Sequence, residues 1–137
     1  MQKLQVLQNK ALRLLSGLEY GTPTETLLKH CNELSVHQLL SYHTSCQVYK
    51  VKTTKLPSYH YNRLFNNNNK NINQNTRGAS TDIQRVEFNL SLGRSHFFYQ
   101  ASKIWSLLYN KTTNAQTIKV FKDHCKKWTQ ENVSIKP

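Results

Sequence analysis

The feature that most constrains this chain is an asparagine-rich stretch, NNNNKNINQNTRGAS, at residues 66–80. It has no hydrophobic period and almost no side chain that a core could bury, so it predicts a disordered, flexible linker. The sequence therefore divides into an N-terminal helical half at 1–56, a linker at 57–85, a C-terminal helical half at 86–132 and a tail at 133–137. Any regular structure is expected in the two halves.

Both halves carry the hydrophobic spacing of amphipathic helices. The first helix, KLQVLQNKALRLLSG, ends at the stop signal Gly17. Its apolar face is formed by Leu4, Leu7, Ala11, Leu14 and Leu15, with Gln5, Asn9, Lys10 and Arg13 on the other side. Because a helix cannot bury such a stripe alone, we expect it to pack on a later part of the chain or on a partner.

Capping signals predict where four further helices begin: Thr22, Ser35, Ser95 and Thr113. The alternating segment VEFNLSL, at 86–92, predicts a short extended arm. The expected fold class is therefore mainly α, with small bundles of about five helices around the linker. Four aromatic side chains lie on apolar helix faces and are expected in the core: Phe97, Phe98, Trp105 and Trp128.

The chain is strongly basic, with 19 Lys and Arg against 7 Asp and Glu and a formal net charge of +12. Such a charge favours polyanions, nucleic acid before anionic membrane, although any single lysine is usually only part of a solvated helix face. No run of roughly 18 apolar residues is present, so no membrane-spanning segment is expected, and the predicted partner is nucleic acid and not a membrane. The predicted phosphate contacts are Lys10, Arg13, Arg94, Lys119, Lys122, Lys126 and Lys127.

Catalytic and metal-binding motifs are missing from the sequence. It contains no P-loop, no G-x-G-x-x-G and no G-x-S-x-G, and Asp82 and Asp123 are too far apart to act as a carboxylate pair. The three cysteines, Cys31, Cys46 and Cys125, form no C-x-x-C pair and indicate a reducing compartment. We therefore expect no enzyme activity, cofactor or metal, with a zinc site assembled across both halves as the less favoured alternative.

Two segments, LQVLQNKALRLLSG and YGTPTETLLKHCNELSVHQLLSYHTSCQVYK, resemble the C-terminal region of non-LTR (LINE-type, jockey-like) retrotransposon reverse transcriptases. The later segments FFYQASKIWSLLYN and TIKVFKDHCKKW are similar to the two closing helices of that family. The resemblance runs from Leu4 to Trp128. The family's N-x-L-P between the closing helices is absent, and Cys125 stands where leucine is common.

The resemblance implies a thumb and post-thumb tail, which in this family lies beside the template–primer duplex. The family's polymerase activity depends on palm aspartates in a Phe/Tyr-x-Asp-Asp turn, and this sequence has no such turn. The expectation is an inactive fragment of an RNA-directed DNA polymerase that binds RNA–DNA hybrid or duplex without sequence preference. The resemblance also implies that the protein acts in the nucleus. In this family the polymerase palm lies beside the region that this chain resembles.

Two other functions remain open. The chain could be a small helical protein-interaction module that uses the first helix and the Ile118–Trp128 seam as contact surfaces. It could also be a decayed mobile-element remnant with no selected function. Binding that weakens steeply with salt favours nucleic acid, whereas a hydrophobic docking surface is insensitive to salt.

Overall fold

A computed structural model of the chain describes residues 2–65, 83, 89–108 and 110–133. The mainly helical class is confirmed, because every regular element in these residues is an α-helix. Three short helices, α4, α5 and α7, are additional to the five predicted. The helices are α1 (Gln2–Ser16), α2 (Thr24–Cys31), α3 (Val36–Thr54), α4 (Ser58–Phe65), α5 (Ser91–Arg94), α6 (Phe97–Leu107), α7 (Asn110–Thr113) and α8 (Ile118–Asn132).

The helices form two compact units. Unit 1 contains the residues up to His43 together with those from Lys126 onward, and unit 2 contains residues 44–125. Helices α3 and α8 contribute residues to both units. This grouping differs from the predicted division at the linker, because the C-terminal part of α8 joins the N-terminal helices in unit 1.

The core of unit 1 is formed by a face of α1 that the sequence analysis assigned to solvent. Leu12 packs with Leu27 and Leu28 of α2, and Asn9 is also buried. The predicted apolar stripe is exposed instead, with Leu7 61% and Leu14 87% accessible. Of the two predicted ways to cover this stripe, packing on a later part of the chain is not found among the described residues, and packing on a partner stays a prediction.

Side-chain amides explain how α1 buries a polar face. Gln5 donates to Asn9 Oδ1 at 2.9 Å, and Asn9 donates to Thr24 Oγ1 at 2.8 Å. The Gln5 Oε1 atom accepts from the backbone N–H of Val36 at 2.9 Å, and Gln8 donates to the Leu34 carbonyl at 2.7 Å. Because each amide has a partner, its burial carries little desolvation cost.

The predicted capping box at the start of α3 is confirmed. The Ser35 N–H donates to Gln38 Oε1 at 3.0 Å, and the Gln38 N–H donates to Ser35 Oγ at 3.3 Å. The Gln38 amide nitrogen also donates to the carbonyls of Thr129 and Val133, at 3.4 and 2.9 Å. One buried glutamine therefore caps α3 and satisfies carbonyls near the C-terminal end of α8.

Unit 2 has an aromatic core. The rings of Tyr49 and Phe121 stack with centroids 4.3 Å apart, and the Trp105 ring is 6.0 Å from Phe121. Trp105 also meets Phe65 edge to face at 6.4 Å. Trp105 and Phe98 are buried. This confirms the predicted core position of these two rings, whereas Phe97 and Trp128, predicted with them, are half-buried.

Three predicted helix starts are wrong by one to four residues. Pro23, not Thr22, occupies the N-cap of α2. His96, not Ser95, caps α6 by accepting the Phe98 N–H. Thr113 lies inside α7, and the N-cap of α8 is Thr117, whose Oγ1 accepts the Val120 N–H at 3.4 Å. Thr22 and Thr113 match the capping-box pattern and Ser95 is a single capping residue, so in these three places the local match did not decide the boundary.

The linker and the extended arm fall mostly outside the described residues, at 66–82 and 84–88. The first part of the predicted linker is helical, since α4 covers Ser58–Phe65 and buries Leu64. Ser91 and Leu92, predicted as the end of the arm, lie in α5.

Candidate nucleic-acid interface

The basic charge is unevenly divided between the two units. Residues 44–125 contain twelve Lys and Arg against three Asp and Glu, whereas the rest of the chain contains seven against four. In the part of unit 2 that the structure describes, the acidic residues reduce to Asp123. Unit 2 is therefore the more favourable surface for a polyanion.

Helix α8 carries two of the predicted phosphate contacts that belong to unit 2. Lys119 and Lys122 lie three residues apart in its first turns, and both are exposed. Phe121 and Cys125 are fully buried on the other face. Because the buried ring fixes the rotation of this helix, the two ammonium groups are held toward solvent on one side.

Arg94, the third predicted residue of unit 2, is exposed at the end of α5. Its carbonyl accepts a hydrogen bond from the Gln100 side chain at 2.7 Å, which ties α5 to the next helix. The guanidinium group therefore stands on an anchored backbone.

Sequence reasoning did not single out other exposed cations of unit 2. Among the described side chains of this unit, these are Lys50, Lys55, Arg63 and Lys103. Lys55 Nζ lies 5.8 Å from the Tyr61 ring centroid, and the half-buried Lys52 places its Nζ 5.6 Å from the Trp105 ring centroid. Such cation–π contacts hold ammonium groups over ring faces. In both contacts the lysine lies in or just after α3 and the ring lies on a later helix, so only the net charge pointed to these lysines.

In unit 1, Lys10 and Arg13 line an open cavity of about 380 Å³ together with Leu14, Leu18 and Tyr20. Arg13 Nη2 donates to the Thr22 carbonyl at 2.9 Å, and the guanidinium carbon lies 5.3 Å from the Tyr20 ring centroid. Arg13 is thus held in place, while Lys10 is exposed.

The C-terminal part of α8 carries the last two predicted residues. Lys126 Nζ donates to the Asn32 carbonyl at 3.1 Å, at the C-cap of α2, where a cation is favourable to the helix dipole. Lys127 is exposed. Arg13 and Lys126 therefore have structural partners, whereas the structure leaves Lys10 and Lys127 to solvent.

The described residues also bear on metal binding and on membrane insertion. Within them, no group of three or more His, Cys, Asp or Glu side chains is placed to hold a metal ion. Cys31, Cys46 and Cys125 form no disulfide among the described residues, and the last two are buried. None of the described helices is long and apolar enough to cross a membrane.

No protein-family model, curated protein or solved structure matches the chain. The resemblance to retrotransposon reverse transcriptases therefore stays a prediction, and a function must be argued from charge and geometry.

Proposed function

We propose that the chain is a non-catalytic nucleic-acid-binding protein that contacts phosphates mainly through unit 2. The observation that carries this proposal is the excess of basic residues in unit 2, with Lys119, Lys122 and Arg94 exposed on its helices. Each exposed cation that reaches a phosphate releases condensed counterions, which is the main source of non-specific affinity.

The binding mode follows from which groups are accessible. The large rings of the core, including Trp105, Phe98 and Phe121, are buried and are not free to stack on bases. Lysine contacts to phosphate position a duplex but carry no sequence information. We therefore propose binding of RNA–DNA hybrid or duplex with little sequence preference. Lys10 and Lys127 of unit 1 contribute at the margin.

The motifs between Leu4 and Trp128 support a more specific identity. We propose that the chain corresponds to the thumb and post-thumb tail of a non-LTR retrotransposon RNA-directed DNA polymerase and acts in the nucleus. Catalysis would belong to the palm of the parent enzyme, since this sequence has no Phe/Tyr-x-Asp-Asp turn.

The test is a titration of a fluorescently labelled RNA–DNA hybrid with the purified chain, read by anisotropy. With about six phosphate contacts, affinity should fall about a thousandfold between 50 and 200 mM salt. A second hybrid of unrelated sequence serves as the control and should bind equally. Absence of binding at 50 mM salt, or binding that does not respond to salt, contradicts the proposal.

A further inference from the structure

The exposed face of α1 has the spacing of a coiled-coil seam. Leu4, Leu7, Ala11 and Leu14 follow one another at three, four and three residues, which are the a and d positions of a heptad. All four are exposed, and Leu15 beside them is 83% accessible. A row of leucines in water is unusual for a soluble domain and marks an interaction surface.

Positive charge flanks this seam on one side. Lys3 and Lys10 each precede an a-position residue and therefore occupy the g positions. Both are exposed, and α1 contains no acidic residue. Seven residues of helix separate the two ammonium groups by about 10.5 Å along the axis. In coiled coils, charges at these positions select the partner.

The helix is already ordered before any partner binds. The hydrogen bonds from Asn9 to Thr24 Oγ1 and from Gln8 to the Leu34 carbonyl fix its rotation, so the leucine row faces solvent. At its C-terminal end the cavity beside Lys10 and Leu14 provides a concave socket with two cations on its wall. Such preorganisation lowers the entropic cost of docking.

We propose that the leucine seam of α1, together with this cavity, is the docking surface for an acidic amphipathic helix of another protein. Apolar a and d residues of that helix would cover the seam. Glutamate or aspartate side chains spaced seven residues apart would pair with Lys3 and Lys10, and one bulky side chain would enter the cavity. The proposal does not depend on nucleic-acid binding, which we assign to unit 2.

Charge argues against a second copy of this chain as the occupant. In an antiparallel pair of α1 helices, Lys3 of one copy faces Lys10 of the other, and these like charges repel. A parallel pair gives neither lysine an acidic neighbour, and each chain brings a net charge of +12. An acidic helix avoids the repulsion between lysines and gives both Lys3 and Lys10 an acidic neighbour. A concave socket suits a side chain better than the flat surface of a bilayer.

The probe is a synthetic three-heptad peptide with leucine at a and d and glutamate at e and g, labelled and titrated with the full chain. We expect micromolar affinity by anisotropy. Two matched peptides keep one property each: lysine replaces glutamate in the first, and serine replaces leucine in the second. Both should bind at least about tenfold more weakly, because the first lacks the acidic side chains and the second lacks the apolar ones.

Variants of the chain locate the site. Leu7→Ser should weaken peptide binding about tenfold or more, whereas Leu40→Ser on α3, where the leucine is 51% accessible, should not change it. Both changes leave net charge unaltered, and circular dichroism checks that each variant is folded. Equal binding of the acidic and basic peptides, or an unchanged affinity for Leu7→Ser, overturns the proposal.

Two further outcomes identify a different occupant and also overturn it. One is a dimer of the chain in sedimentation equilibrium that Leu7→Ser dissociates. The other is binding to phosphatidylserine vesicles that is lost in Leu7→Ser while the acidic peptide does not bind.

Discussion

The cores of unit 1 and unit 2 differ most in two kinds of contact, which are buried amide hydrogen bonds in unit 1 and stacked aromatic rings in unit 2. Unit 1 buries amides and hydroxyls, such as Asn9, Gln38 and Ser35, each in a specific hydrogen bond, and leaves a row of leucines exposed. Unit 2 buries stacked rings around Phe121 and carries most of the positive charge. The comparison indicates that hydrogen-bond partners, as much as hydrophobicity, decide which helix face is covered.

The largest effect is expected from the aromatic core of unit 2. Phe121→Ala removes a fully buried ring that stacks on Tyr49, and should lower the free energy of unfolding by about 3–5 kcal/mol. Urea unfolding should be followed by the fluorescence of Trp105 in a Trp128→Phe background. Ile118→Ala, at a 37% accessible position of the same helix, is the control and should cost about 1 kcal/mol or less. Equal losses in the two variants would contradict an aromatic core.

The second effect tests which face of α1 is buried. Leu12→Ala should lower the free energy of unfolding by about 2–3 kcal/mol, because Leu12 is 9% accessible and packs with Leu27 and Leu28. Leu14→Ala, a matched change two residues away, should cost less than about 0.5 kcal/mol. Chemical denaturation of both variants gives the comparison. The reverse order would mean that α1 packs through its leucine row.

The third effect concerns the polar core of unit 1. Gln38→Ala leaves the buried Ser35 N–H without its acceptor and should cost about 2 kcal/mol. Gln47→Ala, at an exposed position of the same helix, is the control and should be nearly neutral. If the two substitutions prove equivalent in thermal or urea unfolding, the hydrogen bonds of Gln38 do not stabilise unit 1.

The smallest effects compare one helix cap in each unit. Ser35→Ala should cost about 1 kcal/mol, because the hydroxyl is buried in a reciprocal capping box. Thr117→Ala should cost about half as much, since Thr117 is exposed and accepts one 3.4 Å hydrogen bond. A larger loss for Thr117→Ala in urea unfolding would show that the cap of α8 matters more than the contacts indicate.

Local patterns predicted those parts of the fold that depend on neighbouring residues. The stop at Gly17, which has a φ of 68°, and the Ser35–Gln38 box involve residues at most four apart. The buried seam of Phe121 and Cys125 follows from helical spacing alone. In each case the determining contact lies within one or two turns of helix.

The buried face of α1 was not predictable in this way. The partners of Gln5 and Gln8 are backbone groups 31 and 26 residues away, and no local pattern reveals them. A glutamine side chain without a hydrogen-bond partner is expected in water, so the periodicity of α1 assigned Gln5 to the solvent side. The candidate site was only partly predictable, because some of its residues depend on local helical spacing and others on distant partners. Exposure of Lys119 and Lys122 follows from the helix, whereas Lys126 is engaged by the distant Asn32.

The most direct measurement of the central claim compares two double variants in the hybrid-binding titration. Lys119→Gln with Lys122→Gln removes two exposed charges from unit 2, and Lys10→Gln with Lys127→Gln removes two from unit 1. We expect the unit 2 variant to bind at least about tenfold more weakly at 50 mM salt, with a salt slope shallower by about 1.8. The unit 1 variant should stay within about threefold of the unaltered chain. Equal losses in the two variants, or an unchanged salt slope in the unit 2 variant, would contradict the assignment of phosphate binding to unit 2.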